Sequence, residues 1–166
     1  TPPASDAEMR AHVAVGRNWS ASSLYHGSPG RSGPFLPSIR INEILSHSDV
    51  GDDWVELINT GSEPVDLTGC TFTDDFDLPD RWSFPNGTVL LPGEFLVLTA
   101  ADLGFAFSEL GAQAALLQMN GSDVLRILDS ATLPAANQQE PLGTFIRSDG
   151  AVQFTELRAI TPAADN

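Results

Sequence analysis

The chain has no lysine: all eight basic residues are arginine, against 22 acidic ones, giving a formal net charge of −14 over 166 residues. That absence excludes chemistry requiring a side-chain amine, namely a Walker-type phosphate cradle, a kinase-type nucleotide site or a Schiff base. A pI near 4.2 also argues against nucleic acid as a partner, because neutralising phosphates takes clustered cations. Cysteine is nearly absent too. Cys70 stands alone, so no intramolecular disulfide and no cysteine-based zinc site can form, and the residue reads as a small core side chain. No apolar run approaches the ~18 residues of a membrane span, so no membrane partner is expected. The opening at Thr1 has neither an initiator Met nor a signal-peptide pattern, and reads as a piece of a longer polypeptide. Catalytic motifs are missing as well. There is no Gly-x-Ser-x-Gly elbow and no His-Glu-x-x-His pair, and His12, His26 and His47 lie far apart.

What is present is a globular composition, 42% hydrophobic, arranged as short β-type runs separated by turn chemistry. Residues 1–37 differ from the rest in their proline, glycine and serine content, with one short apolar stretch around His12 to Val15. From Ser38 onward, strand-like runs fall at 39–45, 54–58, 65–73, 82–84, 88–91, 95–99, 114–119, 124–128, 144–147 and 151–157. Asn86-Gly87, Asn120-Gly121 and Asp149-Gly150 allow positive φ in tight hairpins, and Pro92-Gly93 fits a type II turn. Many short strands joined this way predict an all-β antiparallel sandwich or barrel. One stretch dissents: residues 108–119 are helix-prone by propensity, yet Gly111 interrupts them and a hairpin turn follows, so 114–119 is assigned to strand. Alternation places Val55, Leu57, Leu67, Phe72, Phe84 and Val97 in the core between the sheets.

The segment 39–99 resembles the lamin tail domain, an immunoglobulin-like β-sandwich. The matching residues are Ile41-Asn42-Glu43, then Asp53-Trp54-Val55-Glu56-Leu57 with Asn59, then Val65-Asp66-Leu67-Thr68-Gly69. Thr73-Asp74, Trp82-Ser83-Phe84-Pro85 with Gly87-Thr88, and Pro92-Gly93 before Phe95-Leu96-Val97-Leu98 complete the set. Asn120-Gly121, Asp129, Phe145, Arg147, Asp149-Gly150, Thr161-Pro162 and Asn166 resemble the family's later segments more loosely. The chain departs from the pattern where Cys70 replaces a Trp, Ile146 a Gly and Ala163 a closing Gly. The last departure bears on a turn, since only Gly enters positive φ freely. The pattern is similar to the bacterial branch, modules of large secreted or surface proteins.

That resemblance implies a domain at residues 38–166, a linker at 34–37, and the tail of a preceding module or an N-terminal extension at 1–33. A chain beginning at Pro34 is then expected to fold, with a denaturation midpoint close to that of the full chain. Trp19 and Tyr25 would gain from docking on any apolar surface. The resemblance further implies a non-catalytic spacer, adhesion or protein-interaction unit, extracellular or at the cell surface. Its partners would be other domains of the same polypeptide and a cell-surface protein or polysaccharide. The alternative is a carbohydrate- or calcium-binding accessory module of an extracellular enzyme.

Two carboxylate groupings need separate weighing. Asp74, Asp75, Asp77 and Asp80 form an acidic loop that could supply oxygens to calcium, although the spacing is not that of an EF-hand. A solvated, self-repelling turn is the competing reading, and it applies equally to Asp49, Asp52 and Asp53. No other cofactor is expected. Glu43 and Glu56 could be mistaken for a glycosidase pair. Together with Asn42, Trp54, Asn59 and Gly69 they belong to the resembling signature, which implies a structural role: accepting hydrogen bonds at a strand end or pairing with Arg40. The aromatic residues Trp54, Trp82, Phe72, Phe84 and Phe95 read as core and sheet-face residues in place of a sugar platform. The sequons at Asn18, Asn86 and Asn120 are better explained, in the latter two cases, as hairpin turns.

Overall fold

The computed structural model describes residues 38–48, 51–135, 137–148 and 152–164. The extension and linker expected at 1–37, the Asp149-Gly150 turn, Asp49 and Asn166 lie outside the described residues. Eleven strands are described: β1 (Ile39–Leu45), β2 (Trp54–Asn59), β3 (Val65–Asp66), β4 (Cys70–Thr73), β5 (Trp82–Ser83), β6 (Val89–Leu90), β7 (Phe95–Thr99), β8 (Ala112–Asn120), β9 (Asp123–Leu133), β10 (Leu142–Ile146) and β11 (Val152–Glu156). They form a five-stranded sheet in the order β11-β10-β1-β2-β7 and a four-stranded sheet in the order β5-β4-β8-β9, with β3-β6 as a small ribbon. All pairings are antiparallel. This is an all-β antiparallel sandwich, one of the two architectures that the turn spacing predicts, and the immunoglobulin-like one that the family resemblance implies. No described helix is long and apolar enough to cross a membrane.

The core sits between the two larger sheets. Ile39, Ile41, Ile44, Val55, Leu57 and Leu98 of one sheet are buried in a single cluster with Phe72, Leu116 and Leu128 of the other. Leu67, Phe84 and Leu142 join it, as do Phe105 and Phe107 from the segment before β8. Phe72, Phe107 and Phe105 meet edge to face, with centroids 6.2 Å and then 6.0 Å apart. That geometry opposes positive ring edges to negative ring faces.

Val97 does not belong to this core. It pairs with Glu56 on the outer side of β7, while Leu98 is buried and Leu96 packs against the cluster. The run Phe95-Leu96-Val97-Leu98 is apolar on both faces, so alternation alone cannot choose between them. The 65–73 run is likewise two strands, because Gly69 turns the chain with a φ of +75°. The tight turn between β8 and β9 is Gly121-Ser122, with Asn120 already paired to Asp123. Pro92-Gly93 behaves as the type II pattern requires: Gly93 has φ +74°, and the Glu94 N–H donates to the Leu91 carbonyl over 3.0 Å. A single helical turn, α1 (Ala100–Leu103), follows β7 and is fixed by a capping box between Thr99 and Asp102.

Candidate functional site

β1 does not alternate evenly. A bulge sets Asn42 and Glu43 together opposite Glu56, so that Ile41 pairs with Leu57 before it and Ile44 with Val55 after it. Ile41 and Ile44 therefore both face the core, and Glu43 and Glu56 are neighbours on the outer side of the sheet. Both carboxylates are fully buried. Such burial is costly unless every acceptor is used. The carboxylates are used on the chain's own C-terminal segment. Glu43 accepts from the Thr161 hydroxyl at 2.7 Å and from the Thr161 N–H at 3.2 Å. Glu56 accepts from the Asn42 side-chain amide at 2.8 Å and, through its other oxygen, from the Ala163 N–H. Residues 161–163 are thus clasped across the outer face of the five-stranded sheet by two acids from its central strands.

Of the two roles expected for these acids, hydrogen-bond acceptance is the one seen. Arg40 donates instead to the carbonyl of Ile39 at 3.0 Å, and its charge acts on Asp129. Asp129, on β9, accepts from the Ile41 N–H at 2.8 Å, while the Thr144 hydroxyl donates to the Ile41 carbonyl at 3.0 Å. A carboxylate from one sheet is therefore bonded to the backbone of the other, just before the bulge.

The rest of the signature is fastened in the same manner. Asn59 is fully buried; its amide donates to the carbonyls of Glu63 (2.8 Å) and Leu90 (2.9 Å), and its oxygen accepts from the Gly61 N–H (2.9 Å). It ties the end of β2 to the β3-β6 ribbon. Gly69 takes the positive φ noted above, and its carbonyl accepts from Met119 at 3.0 Å. Trp54 is half-buried at the start of β2, paired with Leu45 and Thr99. Cys70 is buried, and burial pushes its thiol up to about 11, which leaves it inert as a nucleophile near neutral pH.

The acidic loop is occupied by local contacts. Asp74 is ion-paired with Arg81, whose guanidinium lies 4.2 Å from the centre of the Phe105 ring. Asp75 accepts from the Asp77 N–H at 2.9 Å, an Asx-type turn, while the side chains of Asp77 and Asp80 are exposed. Among the described residues, no three of His, Cys, Asp and Glu come together in a way that could hold a metal ion. In the second acidic group Asp53 accepts from the Ser48 N–H at 3.3 Å, and Asp52 is exposed. Phe72 and Phe84 are core, and Trp82 packs edge-on against Phe84 with centroids 4.6 Å apart.

Two consequences can be measured. Burial raises the pKa of Glu43, opposed by the bonds from Thr161 and reinforced by the nearby charge of Glu56. Burial also raises Asp129, opposed by the Ile41 N–H and by Arg40. A folded-state pKa above the unfolded value of about 4 means the folded state holds more protons in that interval. The stability these groups contribute is therefore present in mild acid and is lost as pH rises through their folded pKa values. Self-repulsion at a net charge of −14 acts in the same direction. The urea midpoint is expected to fall as pH rises from about 4, the unfolded carboxylate value, toward neutrality, and Glu43→Gln and Asp129→Asn should each flatten that fall.

Ala163 adopts φ +60°, a left-handed conformation at a residue with a Cβ. The clasp imposes this geometry where the resembling pattern carries Gly. An L-residue there costs roughly 1–2 kcal/mol, partly offset because Gly loses more entropy on folding. Ala163→Gly should raise stability by roughly 0.5–1 kcal/mol, read as a shift in urea midpoint with an unchanged slope.

The lamin tail domain family matches residues 36–140, well over half of the chain. Nothing among curated proteins matches it. β10, β11 and the clasped residues 161–163 lie beyond the matched stretch, yet they complete the five-stranded sheet and occupy its two buried acids. The chain belongs to the lamin tail domain family.

Proposed function

We propose that this lamin tail domain is a non-catalytic β-sandwich module, a spacer or protein-interaction unit of a larger extracellular or cell-surface protein. The observation that carries this reading is the use made of its buried acids. Glu43 and Glu56, the pair that most resembles catalytic machinery, are fully buried and bonded to Thr161, Asn42 and Ala163 of the same chain. A glycosidase pair must instead reach a substrate across a cleft. The dense, acidic, lysine-free composition suits a solvated unit that resists self-association through charge. Its partners are then other domains of the same polypeptide and a cell-surface protein or polysaccharide.

The acidic loop offers calcium little, since Asp74 is held by Arg81 and Asp75 by the Asp77 backbone. Millimolar Ca²⁺ should leave the thermal midpoint within about 1 °C of its value in EDTA. An ion at a hundred times its Kd adds about 2.7 kcal/mol, which is several degrees in a domain of this size. A shift of that order, or heat of binding to a soluble polysaccharide in calorimetry, would replace the spacer reading with an accessory binding module.

A further inference from the structure

After the Glu43–Gly143 pair, β10 leaves β1, while its own pairing with β11 continues out to Ile146 and Val152. The divergence opens a cleft of about 620 Å³ lined by Arg40, Ile58, Thr144, Phe145, Ile146 and Val152. Asn42 and Thr60 complete the polar side, while the side formed by β10 and β11 is apolar and open: Phe145 is 47% exposed, Ile146 67% and Val152 66%. Ile146 and Val152 face each other across the hairpin, so their exposed surfaces form one patch. We propose that this cleft is the docking site of the chain's own residues 12–19, with Val13, Val15 and Trp19 against Ile58, Phe145, Ile146 and Val152.

Three observations select that occupant. The first is connectivity. The Ser38 carbonyl accepts from the N–H of Thr60, a residue of the cleft wall, over 2.8 Å, so residues 1–37 join the described structure beside the cleft. From Trp19 to Ser38 the chain can span up to about 60 Å, ample to return to the cleft, and tethering gives an effective concentration in the millimolar range. The second is charge. Residues 1–37 contain three of the eight arginines and two of the 22 acids, a net +1 against −15 for the remainder. Attraction therefore favours this segment, whereas a second copy of the acidic domain would be repelled. The third is pattern: the segment's only apolar run, around His12 to Val15, is followed at Trp19 by one of its large aromatics. Large aromatic side chains yield the most burial per residue ordered.

The test is limited trypsin digestion of the full chain, with the Arg17–Asn18 bond followed by mass spectrometry at early times. Trypsin cuts this lysine-free protein only after arginine, and the Arg31–Ser32 bond serves as internal reference. Docking should make the Arg17 bond at least ten-fold slower to cut in the parent than in Ile146→Asp, Val152→Asp or Trp19→Ala. Ile146 and Val152 are two-thirds exposed, so either substitution leaves the core intact, and near-UV circular dichroism checks each. Equal rates at Arg17 in parent and all three variants would overturn the proposal. So would protection that survives both cleft substitutions, because the segment would then lie elsewhere. Protection that fades on dilution, with a dimer in light scattering, would also overturn it by assigning the cleft to a second copy.

Discussion

Leu57→Ala should lower the unfolding free energy by about 2–5 kcal/mol, the range for truncating a fully buried leucine whose cavity collapses only in part. Leu57 is completely excluded from solvent in the centre of the five-stranded sheet, paired with Ile41 on one side and Leu96 on the other. All three positions belong to, or pack against, the cluster that meets the second sheet. There is little room for relaxation, because neighbours on both flanking strands are held by ladder hydrogen bonds. Urea unfolding of the parent and the variant gives the difference directly. A loss below about 0.5 kcal/mol would mean that β2 is out of register by one residue, which would turn Leu57 outward and Glu56 inward.

Glu56→Ala should cost about 2–4 kcal/mol, as expected when the shared acceptor of a buried hydrogen-bond network is removed and a cavity is left. The loss has two parts. The Asn42 amide loses a buried acceptor, at about 1–3 kcal/mol, the Ala163 N–H of the exposed C-terminal segment loses a part-buried one at a smaller cost, and the side-chain methylenes leave a void. Glu56→Gln keeps the shape but turns an amide donor toward one of those donors, so about half the loss should remain. Glu63→Ala, which removes an exposed carboxylate nearby, should fall within about 0.5 kcal/mol of the parent. A catalytic Glu56 would give a contrasting result. Acids strained into an active site often raise stability when removed.

The strand boundaries were legible where side chains alternate or turn chemistry is explicit. β1 and β7 begin and end where the sequence predicts, and β8 is a strand despite the helix-prone composition around it. Gly69, Gly87 and Gly93 all take the positive φ that their turns require. The faces of β7 were not legible, because an unbroken apolar run carries no alternation. The bulge at Asn42–Glu43 was hidden for a related reason: it depends on which residues of β2 stand opposite, which a single strand does not encode. Signature membership of Glu43 and Glu56 pointed to a structural role. Their partners lie 118 and 107 residues away in Thr161 and Ala163, and no local pattern spans that distance. One clue did exist: a Thr-Pro pair followed by a position where Gly is usual marks a turn with a required conformation, and that turn meets the two acids.

Amide hydrogen exchange at Thr161 and Ala163 tests most directly whether the buried acids serve as a structural clasp. Both N–H groups donate to carboxylates that have no exposed surface, so both should exchange far more slowly than unbonded surface amides, through openings that release the C-terminal segment. Glu56→Ala should then speed exchange at Ala163 by at least two orders of magnitude, more than its effect on core strand amides. Exchange of both amides at nearly unprotected rates in the parent would contradict the account. Glu43 and Glu56 would then be buried for some purpose other than holding the C-terminal segment.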